Sequence, residues 1–299
     1  MNPNLLISGF SDEISSDFDI QLETVAKLGM KYISLRGIDG RNIGDFSIED
    51  IRSTVLPRLQ KAGIGVSSIG SPIGKIFIND EAGFLEHRRM LEVICQISTL
   101  LDCKYIRVFS FYIPNGEEPD RFGEDVVRKL KEFTAIAEKY DVILLHENEK
   151  DIYGDIGRRC AEILEKVDSE NFKAIFDFAN FVQCGENTQD CYNLLKDDVM
   201  YIHIKDAVTK RNQNVLCGMG DGRIPEILSQ LIDEGYKGFL TLEPHLARFD
   251  SLKDLELEDA MWFIENKGLD GKSGYKLQYE ALLKILGKID NEERLAWKK

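Results

Sequence analysis

The strongest constraint on this chain is an eightfold alternation. Short apolar runs rich in β-branched and aromatic residues occur at 5–10 (LLISGF), 31–36 (KYISLR), 65–70 (GVSSIG), 105–110 (YIRVFS), 142–147 (VILLHE), 172–177 (FKAIFD), 200–205 (MYIHIK) and 238–243 (GFLTLE). A longer stretch with helical spacing of its apolar positions follows each run. FDIQLETVAKLG ends at Gly29, a left-handed cap. SIEDIRSTVLPRLQKAG opens with Ser47 and Asp50, close to a capping box, and stops at Gly63; Pro57 inside it predicts a kink. FLEHRRMLEVICQISTLLD, RFGEDVVRKLKEFTAIAEKY, IGRRCAEILEKV, TQDCYNLLKDD, IPEILSQLIDEG and YKLQYEALLKILGKI complete the set, and the tail DNEERLAWKK reads as a helical extension or frayed end. No Pro/Gly/Ser-rich linker interrupts the series. The pattern predicts a single-domain (β/α)8 TIM barrel over 1–299; although 299 residues would suit two average domains, such barrels fill about 250 residues as one. A doubly wound open sheet normally has fewer strands and a glycine-rich first turn, and SGFSDE is not G-x-G-x-x-G. Two long loops, 206–223 and 244–273, fall on the catalytic face of such a barrel.

Charge narrows the partners. Lysines and arginines number 38 and acids 52, for a net charge of −14. That excess argues against nucleic acid, whose phosphates need clustered cations. The cysteines, Cys95, Cys103, Cys160, Cys184, Cys191 and Cys217, form no C-x-x-C pair and read as reduced thiols. MNPNLLISGF lacks a basic leader region, and no stretch approaches the ~20 apolar residues of a membrane span. The expected location is the cytoplasm.

A TIM barrel carries its active site at the C-terminal ends of its strands. Here the fifth run ends in Glu147, the sixth in Asp177, the seventh carries His203 near its end, and the eighth ends in Glu243. Each alone is also what a solvated loop start, a helix cap or a structural histidine looks like. Together, three carboxylates on one rim repel strongly unless compensated, and a divalent cation resolves that. Oxygen-rich coordination with one imidazole suits Mn2+ or Mg2+ best, with Co2+, Zn2+ or Fe2+ as alternatives. Side chains two apart share a strand face, so Lys205 points with His203, and His146 points away from Glu147.

Arg36, Lys75, Arg107 and Lys205 fall near the same rim. They either balance its acids or bind a polar substrate and stabilise an enolate oxygen. Lys75, in the SPIGK turn, and Lys205 are the preferred pair; Glu13 and Ser71 are weaker candidates. CGMGDGRIP at 217–225 could cradle a phosphate, or be a tight turn that needs its glycines. Phe10, Phe109, Phe111, Tyr112 and Phe178 could stack on a sugar or pack the core.

LLHEN with Glu147, IFDFANF with Asp177, YIHIKDA with His203 and LTLEPH with Glu243 resemble, in order and over nearly the whole chain, the xylose-isomerase-like TIM-barrel family. That family includes sugar-phosphate isomerases/epimerases, ketose 3-epimerases, inosose dehydratases and endonuclease IV. The resemblance implies that the four residues hold the metal and that Glu147 and Glu243 exchange protons on opposite faces of a bound sugar. It also implies a homodimer or homotetramer. One departure matters: where several members have D-x-x-H, this chain has Asn180, which can hydrogen-bond a hydroxyl or a metal-bound water but does no acid/base work. Endonuclease IV uses several more histidines than the His87, His146, His203 and His245 found here. The expectation is a metal-dependent isomerase or epimerase of a sugar, polyol or sugar phosphate working through an enediolate. The alternatives are a lyase of the inosose-dehydratase type and a barrel that binds without turnover.

Overall fold

All eight apolar runs form strands of one parallel sheet: β1 (Leu6–Gly9), β2 (Tyr32–Leu35), β3 (Gly65–Ile69), β4 (Tyr105–Val108), β5 (Ile143–Glu147), β6 (Phe172–Asp177), β7 (Val199–Ile204) and β8 (Phe239–Leu242). The computed structural model describes residues 5–211, 213–246 and 269–290. Most of the predicted loop 244–273 and the tail after Asp290 therefore lie outside the described residues. Each strand pairs with its sequence neighbours, β2 through β8 in order, and β8 pairs with β1. Between β1 and β2 only a single parallel bridge, Phe10 to Ser34, completes the circle.

The helices pack outside: α1 (Phe18–Lys27), α2 (48–62), α3 (Glu81–Leu100), α4 (Gly123–Glu138), α5 (Gly157–Val167), α6 (Thr188–Leu195), α7 (Ile224–Asp233) and α8 (Gly271–Asp290). The capping box of α2 is complete, with Ser47 Oγ accepting the Asp50 N–H and Asp50 Oδ2 accepting the Ser47 N–H, both at 3.1 Å. The feature associated with Pro57 is a π-helical stretch, Ile51–Val55, just ahead of it. A widened turn accommodates a residue that has no N–H to give and whose ring crowds the preceding turn. Elements that the periodicity does not reveal are a short helix, Phe178–Gln183, and two ribbons, Gly37–Ile38 with Arg41–Asn42 and Asp206–Val208 with Gln213–Val215.

Outward-facing strand residues such as Ile33, Ile106, Leu144, Phe176, Ile202 and Leu240 join the helices in one large core. Inside the barrel, Leu145, Ile175 and Tyr201 form a small separate apolar cluster. Beside it lies a hydroxyl network in place of the branched aliphatic side chains that dominate most barrel interiors. Tyr201 Oη bonds Ser67 Oγ at 2.8 Å and Ser68 Oγ at 2.9 Å; Ser67 reaches Ser8, and Ser68 reaches Ser34. A bulge makes this double contact possible: the register of β2 with β3 skips Ser67, so two adjacent serines serve one hydroxyl.

Candidate metal and active site

The predicted four residues meet at the C-terminal mouth. Asp177 and Thr241 flank His203 in the strand register, and Glu147 and Glu243 enter from either side. His203 Nδ1 lies 2.7 Å from Glu147 Oε1, 3.2 Å from Glu243 Oε2 and 3.7 Å from Asp177 Oδ2. One donor atom from each of the four falls within 4.8 Å of the others, and all four residues are buried. Asp177 Oδ2 faces this centre, between His203 and Lys205. Its other oxygen accepts the Asn180 N–H at 2.8 Å, so Asp177 also caps the short helix after β6. Asn148 locks β5 to β6: its Nδ2 donates to the Asp177 carbonyl and its Oδ1 accepts the Asp177 N–H, both at 3.0 Å.

The cations line up behind these acids. Arg107 Nη1 is 3.1 Å from Glu147 Oε2, and Arg36 Nη1 is 3.0 Å from Glu243 Oε1. Lys205 Nζ is 3.1 Å from Asp177 Oδ2 and 3.3 Å from Glu243 Oε2. Burial raises a carboxyl pKa, but His203 and Arg107 hold Glu147 at about 2, and Lys205 with His203 holds Glu243 well below the usual range. Asp177 is raised: burial and the two glutamates outweigh Lys205. Burial disfavours a charged imidazole, yet the surrounding carboxylates raise His203 well above its ordinary value. Arg107, Arg36 and Lys205 compensate these three carboxylates from their outer sides, and positive charge at their centre would be favoured as well. A divalent ion would supply that charge, and three oxygens with one nitrogen form a donor set that fits one.

A second group, Glu13, Glu243 and His245, also has donor atoms within 4.8 Å of one another. Arg36 already supplies its positive charge, lying 3.5 Å from Glu13 and pairing also with Asp12 at 2.8 Å.

A narrow cleft opens over the cluster, lined by Lys75, Arg107, Glu147, Glu149, Lys150, Asn180, Gln183, Lys205, Asn214, Glu243 and His245. Lys75, Arg107, Lys205 and Asn180 therefore sit where substrate contact was expected. Arg36 does not line the cleft; it is buried behind Glu243. Lys75 is paired with Glu149 at 2.8 Å. Among the weaker candidates, Glu13 accepts the His245 N–H at 2.8 Å and Ser71 Oγ bonds the Arg107 carbonyl, so both are structural supports. Phe10 packs edge-on to His203 with Arg36 4.2 Å above its ring, and Phe109 lies under Lys75 and Arg107. Phe111 and Phe178 belong to the core, and Tyr112 pairs with Phe77. His146 does point away from the mouth: it is buried against Phe172, where the missing water holds its pKa down to about 4.

Reading strands alone misses Glu149, Gln183, Asn214 and His245, which lie beyond the strand ends. The EPH run after Glu243 was a signal for His245, whose φ of +48° marks a constrained position. The glycine-rich loop at 217–222 turns inward on the chain itself. The N–H groups of Gly218, Gly220 and Gly222 donate to the Asp206 carboxylate at 2.9, 3.0 and 3.0 Å, and the Ala207 N–H joins them. The donors that could cradle a phosphate are committed to that side chain.

A parallel (β/α)8 barrel with three carboxylates and an imidazole gathered at its C-terminal mouth defines a class. The family model described as the xylose isomerase-like TIM barrel matches residues 22–266, and the chain belongs to that family. Uncharacterized protein MJ1311 of Methanocaldococcus jannaschii is 24% identical over 164 residues, covering 52% of this chain and 56% of that protein; the chain thus spans little over half the length of this relative. Among solved structures, L-ribulose 3-epimerase superposes with a TM-score of 0.75 at 18% identity, covering 97% of each chain. The IolI protein, whose structure carries a zinc atom, superposes with a TM-score of 0.73 at 18% identity, covering 95% of this chain and 99% of that one. At these identities the structural likeness is one of fold.

Proposed function

We propose that this protein is a divalent-metal-dependent isomerase or epimerase of a sugar, polyol or sugar phosphate, with Glu147 and Glu243 as the proton-transferring pair. The observation that carries this reading is that both glutamates converge on His203 and line one cleft, each fixed by its own arginine. A binding module would not need two such buried, separately anchored carboxylates. Glu147, Asp177, His203 and Glu243 would hold the ion, with Mn2+ or Mg2+ suiting the oxygen-rich set best. Bound there, it would polarise a substrate carbonyl and acidify the adjacent C–H.

One glutamate, ionised, takes that proton, and the other, carrying a proton drawn from solvent, delivers it to the opposite face, while Arg107 and Arg36 orient the two side chains. Lys205 donates toward the developing oxygen charge. Asn180 donates its amide N–H to the Asn148 carbonyl at 2.8 Å, which leaves its Oδ1 to accept a substrate hydroxyl. A net charge of −14 continues to disfavour nucleic acid, and among the described residues no helix is long and apolar enough to cross a membrane.

The test is solvent-deuterium exchange into candidate ketoses with Mn2+. Incorporation without loss of water supports isomerisation or epimerisation, and loss of water places the enzyme among the lyases. Glu147→Gln is expected to slow exchange by about 10²–10⁴-fold. Full exchange in that variant, or none in the wild type with any ketose, would sink the mechanism.

A further inference from the structure

His87 sits on α3 away from the mouth, and the chemistry above gives it no part. Yet it is buried, and its Nδ1 accepts the Gly74 backbone N–H at 3.0 Å. Gly74 lies in the turn after β3 at φ +92°, and a Cβ there would come within 2.0 Å of the Phe109 carbonyl oxygen, so only glycine fits. The turn is fastened to β4 as well. Phe109 N–H donates to the Ile73 carbonyl at 2.8 Å, and Ser71 Oγ accepts the Ile73 N–H at 3.2 Å. With those residues tied down, Lys75 at the tip is aimed. Its Nζ stands 4.5 Å over the Phe109 ring and 2.8 Å from Glu149 Oε1, and Lys75 and Glu149 both line the cleft.

An ammonium beside a carboxylate presents a donor and an acceptor side by side. Two neighbouring hydroxyl groups offer the matching acceptor and donor. We propose that the Lys75–Glu149 pair is a subsite for a vicinal diol of the substrate, and that His87, acting through the Gly74 N–H, positions it. The proposal rests on the sugar or polyol reading above and adds where the substrate's remote hydroxyls are read. Contacts remote from the reacting carbons set affinity and orientation.

Three variants test it. His87→Leu removes the acceptor, His87→Asn keeps an acceptor in the place of Nδ1, and Lys75→Met acts at the subsite itself. With Mn2+-loaded enzyme, exchange is followed into D-fructose and into dihydroxyacetone, which has no hydroxyls beyond the reacting carbons. His87→Leu and Lys75→Met are expected to raise KM for D-fructose about tenfold, and in His87→Leu the dihydroxyacetone parameters are expected to change less than about twofold. His87→Asn should stay near wild type. Equal effects on both substrates, or no effect on either, overturn the proposal. Binding of xylitol by calorimetry needs no turnover. If no ketose exchanges in the wild type, the proton-transfer reading fails, and calorimetry still decides the subsite. Weaker xylitol binding by about tenfold in His87→Leu and Lys75→Met supports it; no binding to wild type, or equal affinity in all, overturns it.

Discussion

Arg36 has three buried partners on two segments: Asp12 and Glu13 after β1, and Glu243 after β8. Replacing it by methionine leaves these carboxylates without their shared cation. Removing one member of a buried ion cluster typically costs about 3–5 kcal/mol, so Arg36→Met is expected to lower urea stability by that order. A loss below about 1 kcal/mol would show that water reaches the cluster. His87 supplies a pH test. Burial lowers its pKa from 6.5, with Glu86 and Asp80 only partly opposing. As pH falls through 6.5, the unfolded chain gains a proton that folded His87 resists, so stability drops with falling pH in that window. Urea titrations at pH 7 and pH 5 should show a larger loss in wild type than in His87→Asn. At this scale the four candidate metal-holding residues were legible because they lie at the ends of successive strands, and alternation of strand side chains put His203 and Lys205 on one face. Glu149, Gln183, Asn214 and His245 were not, because loops, a six-residue helix and a three-residue ribbon strand orient them, all too short to show a period.

Among elements, the β7–α7 connection stands out, because one carboxylate organises it. Asp206 accepts four backbone N–H groups, from Ala207, Gly218, Gly220 and Gly222. Asp206→Ala would leave those donors without an acceptor, at a cost of about 2–3 kcal/mol. The loop should then open to trypsin at Lys210; unchanged proteolysis and unchanged stability would show that water replaces the carboxylate. The glycine spacing of CGMGDG was legible in the sequence, but its partner was not, since Asp206 lies twelve residues before Gly218 and nothing local links them. Likewise, Pro57 announced an irregular helix but not its form. A π-helical stretch and a kink both relieve the same clash, and packing decides between them. The Ser67 bulge left no trace at all, because serine suits strand and bulge alike.

Across the whole molecule, eight alternating units led directly to the barrel, since a parallel sheet with helical crossovers is the architecture that covers every apolar run. Metal loading is the test at this scale. Mn2+ at a hundredfold excess over Kd should stabilise the fold by about 2.7 kcal/mol, read as a rise in Tm. His203→Ala should abolish the shift, and an equal shift in that variant would place the ion elsewhere.

The barrel's remaining seam, β1 against β2, has one bridge, at Phe10 and Ser34, where the same two strands meet β8 and β3 in ladders of four residue pairs each. Arg36 spans that seam and grips the strand-eight glutamate at the same time. The side chain that spans the seam is thus also the one that holds Glu243. A chain with that seam unzipped would keep most of its secondary structure and lose the anchor of Glu243, so the order of the candidate site reports on closure of the barrel.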